Sequence, residues 1–192
     1  TQTSTVIEWD PIDVAAADLH FMALYKGDQR VGFIPQPLKR TATKVSNLEI
    51  DASYKFRLML STSAGLFESN ELEVRTHKMT NLTGIVVCIG SLEHSNITES
   101  DIRETLSRIG CKEPQTSVKL DTTHFVCSTE GGAAYEKAVE LNIPIVRPEW
   151  LKACESERRL ASVRGFYLSV DPPSVPKVNE AKQSESCLLY TS

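Results

Sequence analysis

The chain has 192 residues, of which 41% are hydrophobic, and it carries a formal net charge of -4. This length suits two small domains with separate cores, and the negative balance gives no general attraction to DNA, RNA or an anionic membrane. No apolar run approaches the roughly 20 residues of a membrane-spanning helix, and no secretory signal pattern opens the sequence.

The first half of the chain predicts a small β-sandwich. Turn-forming pairs such as Asp10-Pro11 and Gly27-Asp28 separate short segments in which polar and apolar residues alternate. These segments are STVIEW, LHFMALY, SYKFRLMLST and ELEVRT. Because the chain opens in the middle of this pattern, we expect the sandwich to lack its first strand.

A tyrosine marks one corner of this sandwich. Leu48 stands six residues before Tyr54, a spacing that places the tyrosine hydroxyl within reach of backbone at the preceding corner. With Trp9, Gly65 and the closing VRTH, this pattern resembles a fibronectin type III domain. The resemblance implies an all-β domain at residues 1–77, with Trp9 and Tyr54 as structural anchors. We interpret Asp10 as a solvated turn residue rather than an acid or base.

The second half predicts an α/β domain. Strand-like TGIVVCIG, TTHFVC and IPIV alternate with helix-like ITESDIRETLSRIG and AAYEKAVELN, which favours a parallel sheet covered on both faces. Thr98 and Asp101 form a capping box at the start of the first helix, and Gly110 stands at its C-terminal stop. Pro148 is suited to the first turn of the last helix, so that Trp150 turns inward as a core anchor.

The ordered set GIVVCIG, LSRIGC, TTHFVC, KAVELNIPIVRPEWLKAC and GFYL resembles a BRCT domain over about residues 80–168. The resemblance implies a parallel four-stranded sheet in a domain at residues 78–171. It also implies that Gly90, Gly110 and Trp150 are structural anchors. Many BRCT domains bind phosphoserine through a Ser/Thr-Gly pair and a Thr-x-Lys motif.

Neither phosphoserine motif occurs at the matching positions of this sequence. Ile89 precedes Gly90, and Gly132-Ala133-Ala134 opens the second helix. Ser91 and Lys137 are close by but displaced along the chain, and a three-residue shift on a helix changes the direction of a side chain. We therefore do not expect conventional phosphopeptide binding.

The reactive residue types form no recognisable catalytic or metal-binding pattern. The five cysteines include no C-x-x-C pair and are interpreted as reduced thiols. Cys88 or Cys127 with His124 would supply a nucleophile and a base, but no oxyanion-type motif accompanies them. His124 is better interpreted as a structural imidazole. We predict no enzymatic activity, no catalytic residues, no cofactor and no metal.

The tandem order carries the functional hypothesis. Both domains, joined through RTHKMT with little Gly or Pro, resemble the scaffold subunits of the fungal exomer coat, which export chitin synthase and other cargo from the trans-Golgi network. This resemblance implies a non-enzymatic adaptor, peripheral on the cytoplasmic face of the Golgi, that binds a GTP-loaded Arf-family GTPase. It places dimerisation and the cargo-binding subunits on a segment outside this sequence.

Two groups of basic residues are candidate protein contacts, and ordinary solvated surface is the alternative for both. One group lies in the linker and the other around the last helix. The candidates are Arg75, His77 and Lys78 in the linker, and Arg147, Lys152, Arg158, Arg159 and Arg164 in the second domain. A nuclear BRCT adaptor that binds phosphoproteins in the DNA-damage response is the alternative function, and no nucleic-acid partner is expected.

The end of the sequence is set apart from both domains. Residues 172–186 are rich in Pro, Ser and charge, which predicts a disordered linker. Residues 187–192, CLLYTS, read as the translation of a sequencing adapter and are excluded from functional reasoning.

Overall fold

A computed structural model describes residues 1–168, in which seven antiparallel strands come first. The strands are β1 Thr5–Glu8, β2 Leu19–Lys26, β3 Gln29–Phe33, β4 Ala42–Val45, β5 Ser53–Thr62, β6 Gly65–Glu68 and β7 Leu72–Arg75. β1 pairs with β4, while the larger sheet has the order β3-β2-β5-β6, with β7 also paired to β5. The all-β prediction for the first half is confirmed; a further strand before residue 1 stays a prediction.

The core of this first domain lies between its two sheets. Ile7 and Val45 from the small sheet meet Met22, Leu24 and Phe56 from the large one, and all five side chains are buried. Successive strand residues point to opposite faces, so the alternation in the sequence selects these residues for the interior.

The corner before β5 contains the predicted tyrosine contact. The backbone N–H of Glu49 donates to the Tyr54 hydroxyl over 2.8 Å, and Leu48 just before it is 5% exposed. The tyrosine thereby fixes the crossover between β4 and β5. Trp9 packs partly buried against the same core.

The second domain alternates strands with helices. Its elements are β8 Val87–Ile89, α1 Glu99–Arg108, β9 His124–Val126, α2 Ala133–Glu140, β10 Ile145–Val146 and α3 Glu149–Glu157, with 3-10 turns at Leu82–Gly84 and Val163–Gly165. The sheet is parallel with the order β10-β9-β8. No helix within residues 1–168 has the length and apolar character needed to cross a membrane.

The expectation of four parallel strands was wrong for the described residues. Three strands form the sheet, and two isolated bridges flank it: a parallel one between Cys88 and Gln115 beside β8, and an antiparallel one between Val146 and Tyr167 beside β10. The parallel bridge at Gln115, whose N–H donates to the carbonyl of Val87 at 2.7 Å, is all that the described residues form of a fourth parallel strand. The predicted linker at 172–186 and the segment 187–192, with Cys187, lie outside the described residues.

Helices cover both faces of this sheet. Val126 and Val146 face α1 and α3, whereas Cys88 and Phe125 face α2. Trp150 on α3 is fully buried, and its indole N–H donates to the carbonyl of Ala161 over 3.0 Å. The sequence pattern of continuous apolar strands follows from burial on two faces.

Both ends of α1 are capped as predicted. The Thr98 hydroxyl accepts the backbone N–H of Asp101 at 3.2 Å, and the Asp101 carboxylate accepts the Thr98 N–H at 2.8 Å. Gly110 has a φ of 76°, and the Cys111 N–H donates to the carbonyl of Leu106 over 2.8 Å. This is a Schellman ending, in which glycine accepts the left-handed conformation without strain.

Hydrogen bonds join the two domains directly. Gln2 Nε2 donates to the carbonyl of Asn81 at 2.6 Å, and Lys44 Nζ donates to the carbonyl of Thr122 at 3.1 Å. The linker is also bonded to the end of the second domain, since the Leu160 N–H donates to the carbonyl of Met79 at 2.8 Å. These contacts fix the linker between both domains and bring residues from each to a common surface.

Candidate protein-binding surface at the domain junction

The linker forms one wall of an open groove. Arg75 donates hydrogen bonds to the carboxylate of Asp51 from Nε at 3.1 Å and from Nη2 at 2.8 Å. Lys78 Nζ lies 4.0 Å from the same carboxylate. The Arg75 and Lys78 side chains remain 64% and 66% exposed. The groove has a volume of about 660 Å³ and is lined by Asp51, Arg75, Thr76, His77, Lys78, Thr80 and Asn81. Two of the predicted basic residues are therefore held together and accessible.

His77, the third linker candidate, has a different role. Its Nδ1 is sealed from solvent without a hydrogen bond in the described part of the chain. The ring covers the backbone of Gly84, where an added Cβ would lie 2.8 Å from Nδ1. Burial, with a smaller effect of the Thr1 amino group, lowers the pKa of His77. The imidazole therefore packs the junction rather than presenting a charge.

A second groove continues from the first. It has a volume of about 510 Å³ and is lined by Thr80, Asn81, Leu82, Thr83, Arg108, Ile109, Glu155 and Arg158. Thr80 and Asn81 line both grooves. Arg158 ends α3 in a left-handed conformation with a φ of 49° and has no ion pair within residues 1–168. We call the continuous region formed by Arg75, Lys78, Thr80, Asn81 and Arg158 the junction surface.

The structure divides the predicted basic group of the second domain between the two ends of α3. Arg147, before the helix, donates through Nη2 to the carbonyl of Gly165 at 2.9 Å, next to Arg164. Arg158 lies at the other end of this nine-residue helix, about 14 Å away along its axis. Arg159 beside it pairs with Glu157 at 3.0 Å. Of these residues, Arg158 alone belongs to the junction surface.

Lys152 lies within α3 and lowers the pKa values of Asp101 and Glu155, though hydrogen bonds from Thr98 and Arg108 respectively are the larger causes.

Sequence reasoning missed Arg108 as a residue of this region. Its Nη1 lies 2.8 Å from a Glu104 carboxylate oxygen, and its guanidinium also bonds Glu155 on α3. The four-residue spacing of Glu104 and Arg108 was a readable signal for a helical ion pair. The bond to Glu155 joins residues 47 positions apart and had no local signal.

The residues considered for catalysis are unsuited to it. Burial raises the pKa of Cys88 and raises that of Cys127 to about 11, so both thiols stay protonated at neutral pH. Burial lowers the pKa of His124 to about 3, with a smaller contribution from Lys44. No group of three or more His, Cys, Asp or Glu side chains suited to a metal occurs in residues 1–168.

The usual phosphate-binding positions of a BRCT domain are occupied differently. Gly90 is so close to Phe125 that an added Cβ would lie 2.5 Å from the ring. The hydroxyl of Ser91 accepts the N–H of Glu93 at 3.4 Å. Lys137 pairs with Glu140 at 2.7 Å. The displaced serine and lysine thus serve local contacts.

Comparison with known proteins identifies two domain families in this chain. The fibronectin type III domain matches residues 1–76, and the BRCA1 C Terminus (BRCT) domain matches residues 77–155. The chain is 44% identical over 196 residues to the chitin biosynthesis protein CHS5 of Saccharomyces cerevisiae, covering 97% of the chain and 29% of that protein. It is also 44% identical over 168 residues to the cell fusion protein cfr1 of Schizosaccharomyces pombe, covering 88% and 27%.

A solved structure was also matched. The first two BRCT domains of Rad4, in complex with a Crb2 phosphopeptide, are 24% identical over 48% of this chain and 49% of that one, with a TM-score of 0.42. The chain spans less than a third of the length of the two curated relatives.

Proposed function

Because the chain belongs to the fibronectin type III family in residues 1–76 and to the BRCT family in residues 77–155, we propose that it is a non-enzymatic scaffold of a cargo adaptor coat. Both families are protein-interaction modules rather than catalytic ones. The similarity to a chitin biosynthesis protein supports a role in chitin synthase traffic. The coat is the exomer, and its place is the cytoplasmic face of the trans-Golgi network.

The partner of these two domains is a GTP-loaded Arf-family GTPase. The junction surface is the observation that carries this proposal, because it combines exposed basic residues of the linker with Arg158 of the second domain. A partner that bridges both domains recognises their relative arrangement as well as their residues. With a net charge of -4, the chain needs such a protein partner for membrane recruitment.

Other activities of the coat fall outside these domains. Self-association and the binding of cargo-recognition subunits are assigned to parts of the full-length protein that this chain does not span. The relatives are more than three times as long as the matched region, which leaves room for such segments.

Binding of the 192-residue chain to an Arf-family GTPase, locked in the GTP or GDP state, tests the proposal. We expect GTP-selective binding that is lost in the charge reversals R75E/K78E and R158E. The matched control is K39E/R40E, which reverses two exposed charges in the first domain. R147E/R164E tests the basic residues at the other end of α3. Equal affinity for both nucleotide states, with the chain folded, would remove the GTPase from the proposal.

The alternative of a nuclear adaptor for phosphoproteins is not favoured. Its phosphate-binding residues are absent at the usual positions, where Ile89, Gly132 and Ala134 stand. Binding of phosphopeptides in preference to their unphosphorylated forms would revive it.

A further inference from the structure

A further cavity, which we call the junction cavity, lies between the two domains. It shares no lining residue with the junction surface. Its volume is about 320 Å³. Gln2 of the first domain and Ile85 and His124 of the second are its buried lining, while Asn47 and Asn142, one from each domain, are exposed. Small-molecule sites commonly occupy such interfaces between domains.

Lys44 supplies a cation to this cavity. Its ammonium donates one hydrogen bond, to the carbonyl of Thr122 at 3.1 Å, and an ammonium has three donors. No carboxylate within residues 1–168 lies in ion-pair contact with it. Burial lowers the pKa of Lys44, while the more distant Asp121 opposes this effect. A half-buried ammonium with unused donors favours an anionic ligand.

His124 supplies a hydrogen-bond acceptor to the same cavity. The Thr123 hydroxyl donates to the carbonyl of Val86 at 2.9 Å and accepts the Val86 N–H at 2.9 Å. Its proton is therefore committed, so the 2.9 Å contact between Thr123 Oγ1 and His124 Nδ1 requires that Nδ1 carry the hydrogen.

The neutral state of the imidazole then determines the protonation of the other ring nitrogen, Nε2. With a pKa of about 3, His124 is uncharged at pH 7, and Nε2 bears a lone pair. No protein group within residues 1–168 bonds Nε2, and Nε2 is not among the atoms sealed from solvent. Trp150, stacked on the ring with centroids 4.0 Å apart, holds its orientation.

We propose that the junction cavity binds a small oxyanion that retains an O–H group, of which hydrogen phosphate is the simplest member. Its anionic oxygens accept from Lys44 Nζ, and its O–H donates to His124 Nε2. The ligand thereby links β4 of the first domain to β9 of the second and stabilises their arrangement. Sulfate, which has the same shape but no O–H at neutral pH, would set a lone pair against that of Nε2.

The contrast between phosphate and sulfate tests the proposal in the 192-residue chain. Each anion is titrated at pH 7 and constant ionic strength, with calorimetry for affinity and ¹⁵N NMR for the His124 ring. We expect saturable binding of one phosphate, a shift of the Nε2 resonance, and sulfate binding weaker by about tenfold. Equal binding of both anions would overturn the role of His124.

Variants of Lys44 provide a second test of the proposal. K44M should weaken phosphate binding by about tenfold, whereas the matched control K39M, an exposed lysine of the same domain, should not change it. K44R retains the cation and should retain binding, which keeps the test valid if K44M unfolds. Absence of saturable phosphate binding by the folded wild-type chain would overturn the proposal.

Discussion

The imidazole of His124 stacks on the indole of Trp150, with ring centroids 4.0 Å apart and an interplanar angle of 27°. One ring comes from the central strand β9 and the other from α3. The indole N–H also donates a hydrogen bond to the carbonyl of Ala161. This single stack therefore joins the sheet, the last helix and the segment that follows it.

Replacing Trp150 with Ala should destabilise the second domain by about 3 to 5 kcal/mol, because it leaves a cavity and an unpaired carbonyl in the core. Urea denaturation measures the change. The unfolding is followed by circular dichroism, because the α-helices of residues 1–168 all lie in the second domain, whereas the fluorescence of W150A reports on Trp9 in the first domain. V139A, at a side chain that is 51% exposed, is the control and should change stability little. A W150A midpoint equal to that of the control would show that the stack is dispensable.

Stability should fall as the pH is lowered from about 6.5 toward 3. The unfolded His124 takes up a proton near pH 6.5, whereas burial lowers its folded pKa to about 3. Between these values the unfolded state binds more protons, so acid favours unfolding by up to about 1.4 kcal/mol per pH unit from this group. His77, whose pKa burial also lowers, acts in the same direction.

The contribution of His124 is isolated by comparing urea midpoints of the wild type and H124N at pH 7 and pH 5. H124N should be less stable than the wild type at pH 7, but its free energy of unfolding should fall less when the pH is lowered to 5. Equal losses in both proteins would contradict a buried neutral imidazole.

Tyr54→Phe should cost about 0.5 to 1.5 kcal/mol, because it removes the acceptor of the Glu49 N–H while keeping the ring. Thermal denaturation of the first domain measures the loss. Y25F, on the same sheet, serves as a tyrosine control without a hydroxyl hydrogen bond in the described residues. Equal stability of Y54F and Y25F would show that the corner bond contributes nothing.

Gly84→Ala should loosen the joint between the domains. A Cβ at Gly84 would lie 2.8 Å from His77 Nδ1 and 3.2 Å from the backbone of Thr1, so the linker must move. We expect faster proteolysis in the linker and separate unfolding of the two domains. G165A is the matched control, since no heavy atom lies within 4 Å of its added Cβ. A single cooperative transition in G84A would show that the joint tolerates the shift.

Features that depend on neighbouring residues were readable in the sequence. The capping box of Thr98 and Asp101, the glycine stop at Gly110 and the corner of Tyr54 each involve residues a few positions apart. Such contacts form within a turn or a strand boundary, so residue type and spacing suffice to predict them. The alternation of strands and helices likewise predicted which domain is all-β and which is α/β.

The tertiary structure decided what depends on distant residues. It reduced the expected fourth parallel strand to one bridge at Gln115, bonded Arg108 to Glu155, and separated Arg147 from Arg158 at opposite ends of one helix. It also brought Lys44 of one domain and His124 of the other to a single cavity. The sequence determined the elements because local backbone preferences and apolar periodicity act over short spans. The surfaces between them required the packing of whole domains, which no local pattern encodes.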